Sequence, residues 1–196
     1  MTIGETKQFL YDLVSMYHPK ALIVWTKTKG VTPKPPYITL SHSSVERNRF
    51  PIVDDEGEKW YSYSFVLEIN LYTVGKPVKV EGVGTIYENT AVEDLEEFIR
   101  FVDSDGINDL TQKKNITIMQ NTPIRDLSEL IGDTKFNYRS MTEFIVTFTD
   151  KVSGEYGVQN KTNIPNPSGG GTTQFSQAET YRIEKIIIKE DTEDEH

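Results

Sequence analysis

From Tyr61 to Leu71 the odd positions read Tyr61, Tyr63, Phe65, Leu67, Ile69, Leu71, and the even positions include Ser62, Ser64, Glu68 and Asn70. A period of two puts the first set on one face and the second on the other. The stretch therefore predicts a long strand with one buried face and one left for solvent or a partner. Phe136 to Thr149 repeats the pattern, with Phe136, Tyr138, Phe144, Val146 and Phe148 on one side and Asn137, Arg139, Glu143, Thr147 and Thr149 on the other.

The period changes to that of a helix in two places. Phe9, Leu10, Leu13, Val14 and Tyr17 form one stripe, preceded by Thr2-Ile3-Gly4-Glu5, in which the Thr hydroxyl and the Glu carboxylate can satisfy each other's backbone amides. Pro19 ends that helix. A second box of the same form, Thr90-Ala91-Val92-Glu93, opens a helix with Val92, Leu95, Phe98, Ile99 and Val102 on one face, and Asp103 to Asn108 breaks it. A shorter helix is expected over 109–114.

Shorter signals fill the remainder. Ala21 to Thr26 reads as a buried strand, Tyr37 to Val45 as another with Ile38 and Leu40 inward, and Ile116 to Met119 as a third. Asp126 to Ile131 reads as one or two helical turns closed at Gly132. Tyr181 to Lys189 reads as a final strand whose apolar phase shifts between Ile183 and Ile186, as a bulge would cause. The expected class is α+β: a mainly antiparallel twisted sheet of long strands with two principal amphipathic helices packed on one face. One domain over 1–189 is expected, interrupted at 153–180 by a loop containing Pro165, Pro167 and three successive glycines, Gly169 to Gly171. Loops that long are uncommon and tend to be functional or disordered. An acidic tail covers 190–196.

Charge sharpens this picture. The chain of 196 residues carries −9, and five acids lie in Glu190 to His196, leaving the other 189 residues at −4. Such a balance argues against gripping nucleic acid through a broad basic face. Cysteine is absent, which removes disulfides, thiolate metal sites and cysteine nucleophiles. No apolar run approaches a membrane span, and residues 1–18 lack the form of a signal peptide, so cytosolic synthesis is the expectation.

Candidate chemistry is thin. The three histidines, at 18, 42 and 196, have no metal-ligand spacing. His42 lies among Ser41, Ser43 and Ser44, but strand neighbours point to opposite faces and there is no nucleophile elbow. Gly82 and Gly84 lack the third glycine of a dinucleotide loop and fit a turn or bulge. Asp103 to Asp109 has the wrong spacing for a calcium loop, with Lys114 where the bidentate Glu would stand. No catalytic, cofactor-binding or metal residues are assigned, and no cofactor is expected. One enzymatic or ligand-binding alternative remains, a site assembled from Tyr138, Arg139 and Glu143.

The order of elements resembles the neck or tail terminator (tail-completion) proteins of tailed bacteriophages. The likeness is carried by the opening helix, the strand entered through Pro35-Pro36-Tyr37, the long strand from Tyr61 to Thr73 and the Thr90 helix. It continues in Asn115 to Ile118, Thr122 to Leu127, and the strand holding Tyr138 to Phe144. It covers about residues 3 to 150. The resemblance implies a non-enzymatic structural virion protein of the neck, a homo-oligomeric ring, commonly hexameric. That ring would contact connector or adaptor proteins and tail proteins, ending or joining the tail. It would leave a channel through which DNA passes without specific binding. It also implies a virion location, with assembly in the host cytoplasm and no membrane contact; another tail or baseplate component is the alternative. The candidate subunit-interface residues are Trp60, Ser62, Ser64, Glu68, Asn70, Arg139, Glu143, Ile164 and Phe175.

Overall fold

Two strands organise the molecule. In the computed structural model, β5 (Lys59–Thr73) and β11 (Lys135–Lys151) pair antiparallel from Tyr138↔Thr73 to Lys151↔Trp60, a ribbon roughly 45 Å long at 3.4 Å per residue. The structure describes residues 1–26, 33–131 and 135–152, all within a compact unit Met1–Val152. The sequence features at 153–180 (with Ile164 and Phe175), at 181–189 and at 190–196, and the expected closure at Gly132, lie outside the described residues.

Shorter strands flank the ribbon. Beside β5 run β2 (Tyr37–His42), β3 (Glu46–Arg47) and β4 (Ile52–Val53), in succession and antiparallel. Outside β2 lies β1 (Leu22–Trp25), paired parallel in an otherwise antiparallel sheet. Along the far side of β11 run β8 (Ile116–Gln120), β9 (Arg125–Asp126) and β10 (Glu129–Ile131). Both edges are thus made of short pieces, which limits uncontrolled edge-to-edge pairing.

Three helices cover one face. Helix α1 (Ile3–Tyr17) opens with the expected capping box: the Glu5 amide donates to Thr2 Oγ1 at 3.2 Å, and the Thr2 amide donates to Glu5 Oε2 at 2.8 Å. It buries Leu10, Leu13 and Val14. Helix α2 (Ala91–Val102) buries Ala91, Leu95, Phe98, Ile99 and Val102, and α3 (Asp105–Lys113) buries Ile107 and Thr111. The apolar members of these sets, except Ala91, join one cluster with Phe65, Leu67, Ile69, Leu71, Phe144, Val146 and Phe148, the inward positions of β5 and β11. Both the α+β class and the mainly antiparallel sheet agree with the period-two and period-3.6 stretches.

Several local expectations are corrected. Asp126 to Ile131 is not helical; it contributes β9 and β10. Asp126 Oδ1 accepts the Ser128 amide at 2.9 Å, Ser128 Oγ accepts the Arg139 amide at 3.0 Å, and the Leu127 amide donates to Arg139 O. Polar groups that read as helix-starting therefore bridge two strand segments. The second capping box does not form. Thr90 sits at φ −114°, ψ 7°, away from the extended N-cap conformation, so its hydroxyl donates to Asp94 Oδ2 while Asn89 Oδ1 accepts the Ala91 amide.

The break after α2 is confined to Asp103 and Ser104, and α3 starts four residues earlier than expected, because Ile107 is drawn into the core. Strand β1 is an edge strand among the described residues, and only part of it is buried: Ile23 joins the core while Leu22 is exposed. In β11 the inward apolar series is interrupted by Ser140 and Thr142, fully buried with their hydroxyls donating to Ala91 O and Thr122 O, and Phe136 at its start is exposed.

Between β5 and α2 the chain forms a separate two-stranded hairpin, β6 (Lys76–Val80) and β7 (Gly84–Glu88). The Gly82 region is its turn. Gly75, at φ +77°, makes the joint with β5; a Cβ there would lie 2.6 Å from Glu88 O and 2.7 Å from the Tyr138 ring, so only glycine fits.

Candidate assembly interface

The sheet has a second face, opposite the helices. Even positions of β5 and odd positions of β11 form cross-strand rows there: Trp60 with Lys151, Ser62 with Thr149, Ser64 with Thr147, Val66 with Ile145, Glu68 with Glu143, Asn70 with Met141, and Tyr72 with Arg139. Neighbouring strands extend these rows, with Met119 beside Ile145, Thr117 beside Thr147 and Ser41 beside Glu68. Among the described residues no helix contributes to this face. All seven described candidate interface residues, Trp60, Ser62, Ser64, Glu68, Asn70, Arg139 and Glu143, lie on it, because period two fixes the face of each.

They do not all present a free side chain. Asn70 is 2% exposed. Its Oδ1 accepts from Arg139 Nε at 3.1 Å and Nη2 at 2.7 Å, and its Nδ2 donates to Glu68 Oε1 at 2.7 Å. Asn70 thus positions Arg139 and Glu68 from beneath. The Arg139 guanidinium also lies 5.4 Å from the centre of the Tyr72 ring, and Tyr72 stacks on Tyr37 at 4.2 Å. Burial pushes the Tyr37 hydroxyl pKa up.

At the other end, the Trp60 indole N–H donates to Asp54 Oδ2 at 2.8 Å, and this bond, with the Glu58 and Glu56 amides, holds the Asp54 carboxyl below its ordinary range. Lys151 pairs with Glu58, and the amino group of Met1 bonds Thr149 O and the Asp150 carboxylate. These contacts tie the ends of β5 and β11 to their surroundings, so the Trp60 region is an organised corner with Phe50, Ile52 and Val53 exposed beside it.

The face carries unbalanced charge. Glu68 and Glu143 stand directly opposite on paired strands, and among the described residues neither is in an ion pair; the neighbours that reach them are the amides of Asn70 and Asn121. Like charges at facing positions are destabilising. Arg139 is likewise outside any ion pair among the described residues.

The alternative site from Tyr138, Arg139 and Glu143 does not converge. Tyr138 points to the opposite face from Arg139 and Glu143, and its hydroxyl donates to Tyr87 O at 2.7 Å, fastening the hairpin. The core pocket below α1 and α2 is lined wholly by apolar side chains, including Leu13, Leu67, Phe98 and Phe144. Among the described residues no group of three or more His, Asp or Glu is arranged to hold a metal ion. His18 packs edge-on to Tyr17 and lies near Phe98, and His42 Nδ1 lies 2.8 Å from the carbonyl, not the hydroxyl, of Ser43.

Sequence reading passed over the hairpin as a surface. Tyr87 is 56% exposed, with Val83 and Ile86 also exposed, and Met119 on the sheet face is 54% exposed. The signal was present in the alternation Lys76-Pro77-Val78-Lys79-Val80 and in the glycines closing the turn.

Comparison with curated proteins gives no match. A family model described as phage neck terminator protein matches residues 5–173, which includes the whole sheet-and-helix unit from early in α1 onward. No helix among the described residues is long and apolar enough to cross a membrane. This match over most of the chain makes one assignment: the chain belongs to the phage neck terminator family, a structural component of the virion neck that interacts with other phage head and tail proteins.

Proposed function

We propose that the protein is a non-enzymatic ring subunit, stacked between the head connector and the tail, that ends or joins the tail and leaves a channel for DNA. The observation that carries this reading is the long sheet face that no helix covers among the described residues, lined by Trp60, Ser62, Ser64, Glu68, Arg139 and Glu143 and opposite the helix-covered core. A closed ring repeats one heterologous interface, and a broad flat face supplies one half of it. Six copies is the number carried by the resemblance.

The net charge of −9 suits a lumen that does not retain DNA, because a wall attracting phosphates would slow its passage. The remainder of the reading is an assembly arm at 153–180, with Ile164 and Phe175 as contacts, on a domain running to 189 with an acidic tail at 190–196. Assembly takes place in the host cytoplasm.

Electron microscopy of purified virions tests the reading. A ring of this chain at the head–tail junction is the expected result. A position in the baseplate or tube, or a single copy at the neck, overturns it.

A further inference from the structure

The hairpin and the bare sheet face carry matching patterns. In the hairpin register Pro77 faces Tyr87 and Lys79 faces Thr85, so one hairpin face shows an apolar row, Pro77 with Tyr87, and two residues further along each strand a row holding a cation. All four residues are exposed. On the sheet, Val66, Ile145 and Met119 form an apolar row across three strands, and two residues further along β5 and β11 stand Glu68 and Glu143. The step between rows is the same two-residue rise, about 7 Å, on both surfaces.

The charges fit as well. Among the described residues Lys79 is in no ion pair, nor are Glu68 and Glu143, whose facing like charges weaken the sheet until a cation joins them. An isolated two-stranded hairpin is at best marginally stable in water, and this one has a single described side-chain hydrogen bond to the body, from Tyr138 to Tyr87 O. Tyrosine is also among the residue types enriched at protein contacts.

From this we infer that the hairpin of one copy lies on the bare sheet face of the next, with Tyr87 and Pro77 on the Val66–Ile145–Met119 row and Lys79 between Glu68 and Glu143. In the described chain Tyr87 and Lys79 are exposed, so they are not seated on their own sheet face. The contact joins two different patches, which makes it heterologous and able to close a ring. The inference rests on the ring reading and adds the surfaces that would build it.

Zero-length carbodiimide coupling in purified virions tests it, because that reagent joins a Lys to a carboxylate only where the two already touch. The expected product is a ladder of denaturation-resistant oligomers of this chain, with a Lys79 peptide linked to one containing Glu68 or Glu143. Lys79→Glu alone should remove the position-79 link, and Lys79→Glu combined with Glu143→Lys should restore a link between the two positions with the coupled groups exchanged. A Lys79 link confined to monomers, a link to another virion protein, or no Lys79 link in a virion holding several copies would each overturn the hairpin contact and leave the ring standing. A virion holding a single copy would overturn the ring and the contact together.

Discussion

Asn70 and Arg139 meet on the face of the sheet opposite the helices, one buried amide oxygen accepting two N–H groups of the guanidinium at 3.1 and 2.7 Å. The geometry fixes a long cationic side chain that would otherwise lose rotamer freedom only on meeting a partner, which lowers the entropic cost of a contact made there. Asn70→Ala removes a buried acceptor from a charged donor and should destabilise the fold by about 1 to 3 kcal/mol in chemical denaturation. Combined with Arg139→Met it should cost less than the sum of the two changes, since the guanidinium is then no longer left without its partner. Additive effects would show that the pair is not coupled.

The two Thr-x-x-Glu capping patterns should behave differently. Thr2 accepts the Glu5 amide, and Thr2→Ala should cost about 1 kcal/mol. Thr90 makes no cap bond and its hydroxyl only meets Asp94, so Thr90→Ala should stay within about 0.5 kcal/mol. Thermal unfolding of both variants checks the contrast. Equal losses would place a real cap at Thr90.

That contrast marks how far the sequence carries. The central strands, the amphipathic faces of α1 and α2 and the sheet face of the candidate residues in β5 and β11 were legible, because periodicity is a local property of the chain. Asn89, which takes over the capping of α2, and Ser128, which turns an apparent helix start into a strand bridge, act through partners set by tertiary pairing. Spacing cannot show those. The same holds for Asn70: its place on the polar face was legible, but its burial beneath Arg139 depends on a residue 69 positions away. The hairpin was readable as a turn but not as a surface, because exposure of Tyr87 depends on what the rest of the fold leaves uncovered.

Gly75 should prove the critical joint of the hairpin. Alanine there combines a positive φ with a Cβ driven into Glu88 O and the Tyr138 ring, and the cost should be about 1 to 3 kcal/mol. The loss should be local: amide exchange over residues 76–88 should accelerate while the amides of α1 and α2 keep their protection. Gly82→Ala, at φ +80° in open space, carries backbone strain without a clash and should cost less than Gly75→Ala. Equal effects at the two glycines would mean that the Tyr138 contact does not hold the hairpin.

His18 should make the fold acid-sensitive. Burial is the larger influence on its imidazole and lowers the pKa, with the Asp94 carboxylate opposing it. Below the unfolded value of about 6.5 the unfolded chain takes up a proton that the folded chain resists, so stability present above that pH is lost as pH falls through the lower folded pKa. The partners facing the ring are Tyr17 and Phe98, whose packing favours the neutral form, and Asp94, which favours the charged one. Replacing His18 by Gln removes the titration, so the stability difference between the parent chain and His18→Gln should shift against the parent as pH falls from about 7.5 to about 5. Denaturant midpoints across that range give the measurement. A shift in favour of the parent on acidification would mean that the attraction of Asp94 outweighs burial, and that α2 holds a protonated imidazole at the end of α1.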